Sequence, residues 1–394
     1  MIYVFVVLGL FWFIYIYDYK GCRKDKLLWY NIMMIIFVVI AGFRYRLGID
    51  TVNYEDEFYR ETLYFSEWNL SNIFLEADTD SGYLMYTSLM KSLFGSWEVA
   101  QFLIALFVNV VVFRFLYKNT IYPFVAILLY FCSLYYDLNF ETLRQALALS
   151  FFLLGYKYLM ENKYLKYYIF VILSILFHKV ALLTLFFPFI KTLKVNVCTV
   201  VFLIFLFFFI EIINDSFPEV AMLFSFLKMD LVEEKILGYA GSEIFGGFVD
   251  RSVLNFINIF IVSIFPYLVF ACIDKRYNLE ISSKNDFLLF LYLLGVVLTT
   301  SVPIFYRLSQ FFLIFPIVYM TNAFSSFFRI KSQGLKCLML ICCIFFLYAH
   351  VGRFFRLSPD SGERLLVRVY PYSNVFTKEK DTEREKVYNF YFSR

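Results

Sequence analysis

Residues 166–191 read KYYIFVILSILFHKVALLTLFFPFIK, an apolar run broken by His178 and Lys179 and closed by a lysine at each end. As one helix it has the length of a membrane crossing; as two arms turning at His178 and Lys179 it is a short hairpin. Its apolar positions do not alternate with period two, which excludes a barrel strand. Within hydrocarbon an α-helix satisfies its own backbone groups, so the run is helical in either case. The charges downstream choose between the two. A hairpin puts most of the following short-loop lysines and arginines inside, whereas a single helix puts them outside, against the positive-inside bias. The hairpin is therefore expected. Arms of about 12 residues rise only about 18 Å, less than the roughly 30 Å hydrocarbon core, so the turn is predicted to lie below the outer surface with His178 in a recessed, hydrated cavity.

The same composition extends outward in both directions. Hydrophobic residues make up 61% of the 394-residue chain and aromatics 23%, with a mean hydropathy of +0.69, which no water-soluble domain of this size could expose. The expectation is one all-α, polytopic integral membrane domain over 1–394, with about 12 membrane segments including the hairpin near 166–190. They fall at 2–17, 28–43, 98–117, 121–137, 145–160, 166–178, 179–190, 197–211, 252–272, 286–302, 308–324 and 335–350. Lys20, Arg23, Lys24 and Lys26 after the first run, with Arg114 and Lys118 closing the third, mark cytoplasmic ends and place both termini outside. Long outer segments follow at 44–97 and 212–251, with an outer tail at 351–394. In the first, Tyr86, Leu89, Met90, Leu93 and Phe94 recur at helical spacing, as in a helix lying on the membrane surface.

Several function classes are excluded. A net charge of +4 without a continuous basic surface argues against nucleic acid. The seven cysteines form no CxxC and stand at no metal-ligand spacing with histidine, so neither a metal site nor a disulfide framework is expected. The chain has no Gly-rich phosphate loop, HExxH or GxSxG, and no cofactor is indicated. The first apolar run ends in Tyr17, Asp18 and Lys20 without a small-residue cleavage site and reads as a retained helix.

Arginine and lysine divide unequally across this topology. Lysine predominates inside, while Arg44, Arg46, Arg144 and Arg307 stand at the outer ends of separate segments. A guanidinium stays charged in a low-dielectric site and offers forked donors to phosphate oxygens, so arginines converging from several helices suit a diphosphate. Snorkelling arginines paired with Asp50, Asp137 or Glu141 are the structural alternative. Asp50 and His178 are the two candidate proton acceptors on the outer side, Asp50 first. Tyr54, Tyr83, Gln145, Tyr370 and Tyr372 are candidates to hydrogen-bond or stack on sugars, although interfaces favour tyrosine in general.

FRYRLGIDTVNY at 43–54 resembles the first outer loop of the EpsG-like, Wzy-type polysaccharide polymerases. Further strings follow in family order: ADTDSGYLMYTSLMKSLFG at 77–95, LRQALALSFFLLGYKYL at 143–159, LFHKVALLTLFF at 176–187, FYRLSQFF at 305–312 and VYPY at 369–372. Residues 191–285 carry no such signature, and Lys179 follows His178 where a small polar residue is commoner. The resemblance implies a metal-independent membrane glycosyltransferase of the bacterial cytoplasmic membrane, working on its periplasmic or external face. Its substrates would be undecaprenyl-pyrophosphate-linked oligosaccharides delivered by a flippase, and a chain-length regulator is a possible partner. The residue reading fits that expectation, with Arg44, Arg46, Arg144 and Arg307 stabilising pyrophosphate charge and Asp50 or His178 deprotonating the acceptor. Competing readings are an O-antigen ligase, which the order of motifs disfavours, and a transporter or flippase of lipid-linked sugars, disfavoured because no internal repeat is visible.

Overall fold

The computed structural model describes residues 2–68, 80–214, 257–277, 285–299, 305–327, 330–357 and 362–392. The chain forms two compact units, one of Met1–Phe189 with His350–Arg394, the other of Ile190–Ala349. Among the described residues every regular element is helical, and β-pairing is limited to two isolated bridges, Arg44 with Asn374 and Leu357 with Arg364.

The expectation of about 12 membrane segments is overturned. Among the described residues three helices are long and apolar enough to cross a membrane: Ile2–Tyr19, Trp97–Asn119 and Gln333–His350. Shorter apolar helices of 10–17 residues include Pro123–Ser133, Tyr164–Phe177, Asp286–Thr299 and Ile314–Phe324. Hydrophobic runs read from composition do not reveal where the backbone stops. The run 121–137 ends its α-helix at Ser133, and 308–324 is divided at Leu313 into Tyr306–Phe312 and Ile314–Phe324. An 11-residue helix rises about 17 Å, well short of the hydrocarbon core.

In the first unit, α1 (Ile2–Phe13) continues as a π-helical stretch to Tyr19, followed by α2 (Lys26–Gly42) and α3 (Ile49–Arg60). Then come α4 (Ser81–Phe94), α5 (Trp97–Asn119), α6 (Pro123–Ser133), a π-turn at Asp137–Glu141 and α7 (Leu143–Met160). Ser96 caps α5 by accepting from Val99 N, as a serine at that position should. α8 (Tyr164–Phe177) stops at His178, which is extended, and a 3-10 stretch Lys179–Phe186 follows. The Tyr167 hydroxyl reaches back to Thr184 O at 2.6 Å and ties the two arms together. α5 packs on α2 and α7, and α7 on α8. Close approach needs glycine at Gly42 and Gly155, where an added Cβ would lie 2.5 Å and 2.7 Å from Phe102 and Phe170.

Several buried polar groups of this unit are satisfied by one another, as a low-dielectric interior favours. Asn109, Asn139 and Tyr130 bond one another. Gln101 Nε2 donates to Gly42 O and Arg44 O, each at 2.9 Å, and so caps the open C-terminal end of α2.

The second unit contains α9 (Val197–Asn214), α10 (Phe265–Arg276), α11 (Asp286–Thr299), α12 (Tyr306–Phe312), α13 (Ile314–Phe324) and α14 (Gln333–His350). Asp286 is 2% exposed; it accepts from Val195 N and the Tyr319 hydroxyl and pairs with Lys275 at 3.7 Å. The outer segment expected at 212–251 lies outside the described residues beyond Asn214. From His350 the chain belongs again to the first unit, whose last helix is α15 (Thr382–Phe392).

Candidate active-site cleft

The segment FRYRLG at 43–48 is fixed from both sides before α3 begins. The tail runs beside it: Tyr45 N donates to Ser373 O, Val375 N to Phe43 O and Gly48 N to Arg368 O, at 2.9–3.0 Å. On the other side is the π-turn, where Thr51 Oγ1 donates to Phe140 O at 2.8 Å. Gly48 has φ +87, and a Cβ there would lie 2.3 Å from Phe140 O, so only glycine passes this point without strain.

The arginines of this loop are held by protein groups. Arg44 is 1% exposed; it donates to Ala41 O at 2.6 Å and Thr51 Oγ1 at 3.3 Å, and lies over the Phe140 ring. Burial pushes its pKa down to about 10, which still leaves it charged near neutrality. Arg46, at φ +50, places Nε and Nη2 on the two carboxylate oxygens of Glu385, both at 2.7 Å. Asp50 sits in the first turn of α3, where its backbone N donates to Glu141 Oε2 at 3.3 Å. Burial, with the nearby Asp50 charge second, raises the Glu141 carboxyl to about 7.

α3 then presents Tyr54, Glu57, Phe58 and Glu61, one helical face at i, i+3, i+4 and i+7, toward Tyr83, Leu84 and Thr87 of α4. Between them is a cleft of about 220 Å³. Gly82 lets α4 meet the end of α8, since a Cβ there would lie 2.9 Å from Leu176. Arg144, in the first turn of α7, reaches the cleft wall. Its Nη2 is 2.8 Å from Glu57 Oε2, and its guanidinium carbon lies 5.4 Å and 5.0 Å from the Tyr54 and Tyr83 ring centres. Trp97 backs Tyr54 and Phe58. Among the described residues the Tyr83 hydroxyl and Arg144 Nε are buried without a hydrogen-bond partner, an arrangement native interiors rarely leave unexplained.

Three residues singled out from sequence, Tyr54, Tyr83 and Arg144, therefore meet at one cleft. Gln145 follows Arg144 on α7 and is 1% exposed. His178 is partly buried and its Nδ1 accepts from Val180 N at 3.2 Å. Tyr370 is 47% exposed on the tail, and the Tyr372 hydroxyl donates to Ile40 O. Arg307 belongs to the second unit, at the start of α12. Sequence reading missed Glu57, whose spacing from Tyr54 was the available signal, and Glu385, whose contact with Arg46 spans 339 residues and leaves no local trace. Arg353 likewise grips Asp137 through both carboxylate oxygens at 2.8 and 2.9 Å.

Among the described residues no three His, Cys, Asp or Glu side chains come together as a metal site. Comparison with curated proteins and with solved structures finds no match. The family model described as EpsG family matches residues 27–374, a range that takes in the 43–48 loop, both helices of the cleft, Arg144 and the tail segment beside the loop. This membrane protein belongs to the EpsG family.

Proposed function

We propose that the protein polymerises a bacterial surface polysaccharide by joining undecaprenyl-pyrophosphate-linked repeat units on the external side of the cytoplasmic membrane. Family membership supports the reaction class. The observation that carries the local reading is Arg144, held by Glu57 and laid over two tyrosines at the wall of a cleft. A hydroxyl of one lipid-linked unit attacks the anomeric carbon of the growing glycan, the bond from that carbon to the diphosphate oxygen breaks, and undecaprenyl pyrophosphate leaves with the electron pair. The hydroxyl proton passes to a carboxylate or imidazole and then to water.

In this scheme Arg144, of which Glu57 engages only Nη2, stabilises charge developing on the leaving diphosphate. Arg44 and Arg46 serve it by fixing the loop that starts α3, since their own forks are taken by Ala41, Thr51 and Glu385. Asp50 is favoured as base. A neutral imidazole has one lone-pair nitrogen; with Nδ1 accepting from Val180, His178 carries its proton on Nε2 and acts as a donor.

The test is a synthetic undecaprenyl-pyrophosphate repeat unit given to purified protein. A ladder of lengthened products supports the reading. Movement of substrate between leaflets without a new glycosidic bond, or transfer to another acceptor without lengthening, overturns it.

A further inference from the structure

We propose that the first unit docks on the lipid surface at the Trp97 end of α5 through an anchor of two turns, one presenting Tyr64, Phe65, Leu93 and Phe94 and the other Phe376. Such an anchor is independent of the reaction assigned to the cleft.

Depth is set by α5, one of the three helices able to cross a membrane. With 23 residues it rises about 35 Å, slightly more than the roughly 30 Å hydrocarbon core, so its first turn falls in the interfacial layer. α4 ends at Phe94, separated from that turn by Gly95 and Ser96 alone. The end of α3 and the tail are pinned to the same place. Trp97 N donates to the Tyr59 hydroxyl at 3.2 Å, and Lys378 Nζ reaches Glu98 Oε1 at 3.0 Å. Phe376 packs on Phe43, just past the end of α2.

Exposure and hydrogen bonding fit a lipid partner at that depth. Leu93 is 62% and Phe376 78% exposed, and Tyr64, Phe65, Leu89 and Phe94 are exposed as well. Tyr86 and Met90, expected on this face from helical spacing, turn inward: the Tyr86 hydroxyl donates to Ala100 O at 2.6 Å, and Met90 is buried. The backbone beneath the outward side chains is answered by the protein itself. Ser88 Oγ donates to Leu63 O and Phe65 N to Ser92 Oγ, both at 2.7 Å, while Lys91 Nζ donates to Tyr59 O and Thr62 O. In the tail, Phe376 N and Thr377 N donate to Asn374 Oδ1 at 3.0 and 3.1 Å. Turns that bond their amides internally and hold apolar side chains outward enter the interfacial layer without unpaired polar groups, and aromatic residues are favoured there. Because α3 and α4 form the cleft walls, the anchor holds that cleft beside the lipid headgroups.

The photoreactive residue p-benzoylphenylalanine, placed singly at Leu93, Phe94, Phe376 or Lys386, labels whatever lies against it. The full chain is held in nanodiscs of phosphatidylethanolamine and phosphatidylglycerol, and intact-protein mass spectrometry reads the adduct. Lys386, exposed on the polar helix α15, is the reference position. Phospholipid adducts are expected at Leu93, Phe94 and Phe376 in at least about fivefold higher yield than at Lys386. Leu89→Ser combined with Leu93→Ser should cut the Phe94 yield at least about threefold without lowering the thermal midpoint in detergent, since both side chains are exposed. A yield at the Lys386 level at any of the three sites overturns the proposal. So does a cross-linked pair of chains in place of a lipid adduct, or a double-serine variant that keeps the Phe94 yield or loses midpoint.

Discussion

The Arg144 guanidinium lies over the Tyr83 ring with 5.0 Å between its central carbon and the ring centre, while Nη2 of the same group bonds Glu57. One planar cation thus joins α3, α4 and the start of α7. Lysine has no planar fork, so it could keep the charge while losing the stacked, bonded geometry.

Arg144→Lys should therefore fail to rescue Arg144→Ala. Both variants are expected to slow chain extension by about 10²–10³-fold, the usual loss when one preorganised donor to a leaving anion is removed. Single-turnover extension of a synthetic donor measures it; a lysine variant within a few fold of wild type would show that charge alone suffices.

Asp50 and His178 are expected to separate in a paired substitution. Asp50→Asn should cost about 10²–10⁴-fold in turnover, the range for a lost general base. His178→Asn keeps an acceptor for Val180 N and should lose less than about tenfold, with an unchanged thermal midpoint in detergent. Reversal of those two losses would make His178 the base.

The tail should prove indispensable to the loop it borders. Arg384 is 1% exposed and donates to Val367 O, Arg46 O, Ser373 Oγ and Pro371 O, while Val387 and Tyr388 pack with Ile49 and Val52. Arg384→Ala leaves several buried acceptors unanswered, each costing about 1–3 kcal/mol, so a loss of at least about 3 kcal/mol is expected. Urea or thermal unfolding of the detergent-solubilised protein reads it, and an unchanged midpoint would refute the role given to the tail.

Much of this site was legible locally, and what was not has a physical reason. The strings around Arg44, Asp50, Tyr54, Tyr83 and Arg144 marked the loop and helices that meet at the cleft, because helical spacing and turn chemistry are short-range. Partners of the arginines were not legible: the expected candidates were Asp50, Asp137 and Glu141, whereas Arg46 takes Glu385 and Arg144 takes Glu57. Those pairs depend on the tail folding back and on the rotation of α3, neither of which a linear pattern encodes. Membrane crossings were over-read for a related reason: hydropathy locates apolar residues, but the ends of α6 and α12 depend on where the backbone leaves the helix.

Glu141 gives the site a definite pH dependence. Burial, with Asp50 next, raises its carboxyl to about 7 from an unfolded value near 4.3. A carboxyl whose folded pKa is raised binds its proton more tightly in the folded state. Its favourable contribution is thus fully present below about pH 4.3 and is lost as pH climbs through about 7, after which the buried charge opposes folding. Glu141→Gln removes that charge but keeps an oxygen for the Asp50 backbone N–H. The variant should therefore gain thermal midpoint over wild type at pH 8 and show little difference at pH 4.5. Midpoints taken across that interval test the sign, and a gain largest at the acid end would mean that the ionised carboxylate stabilises the start of α3.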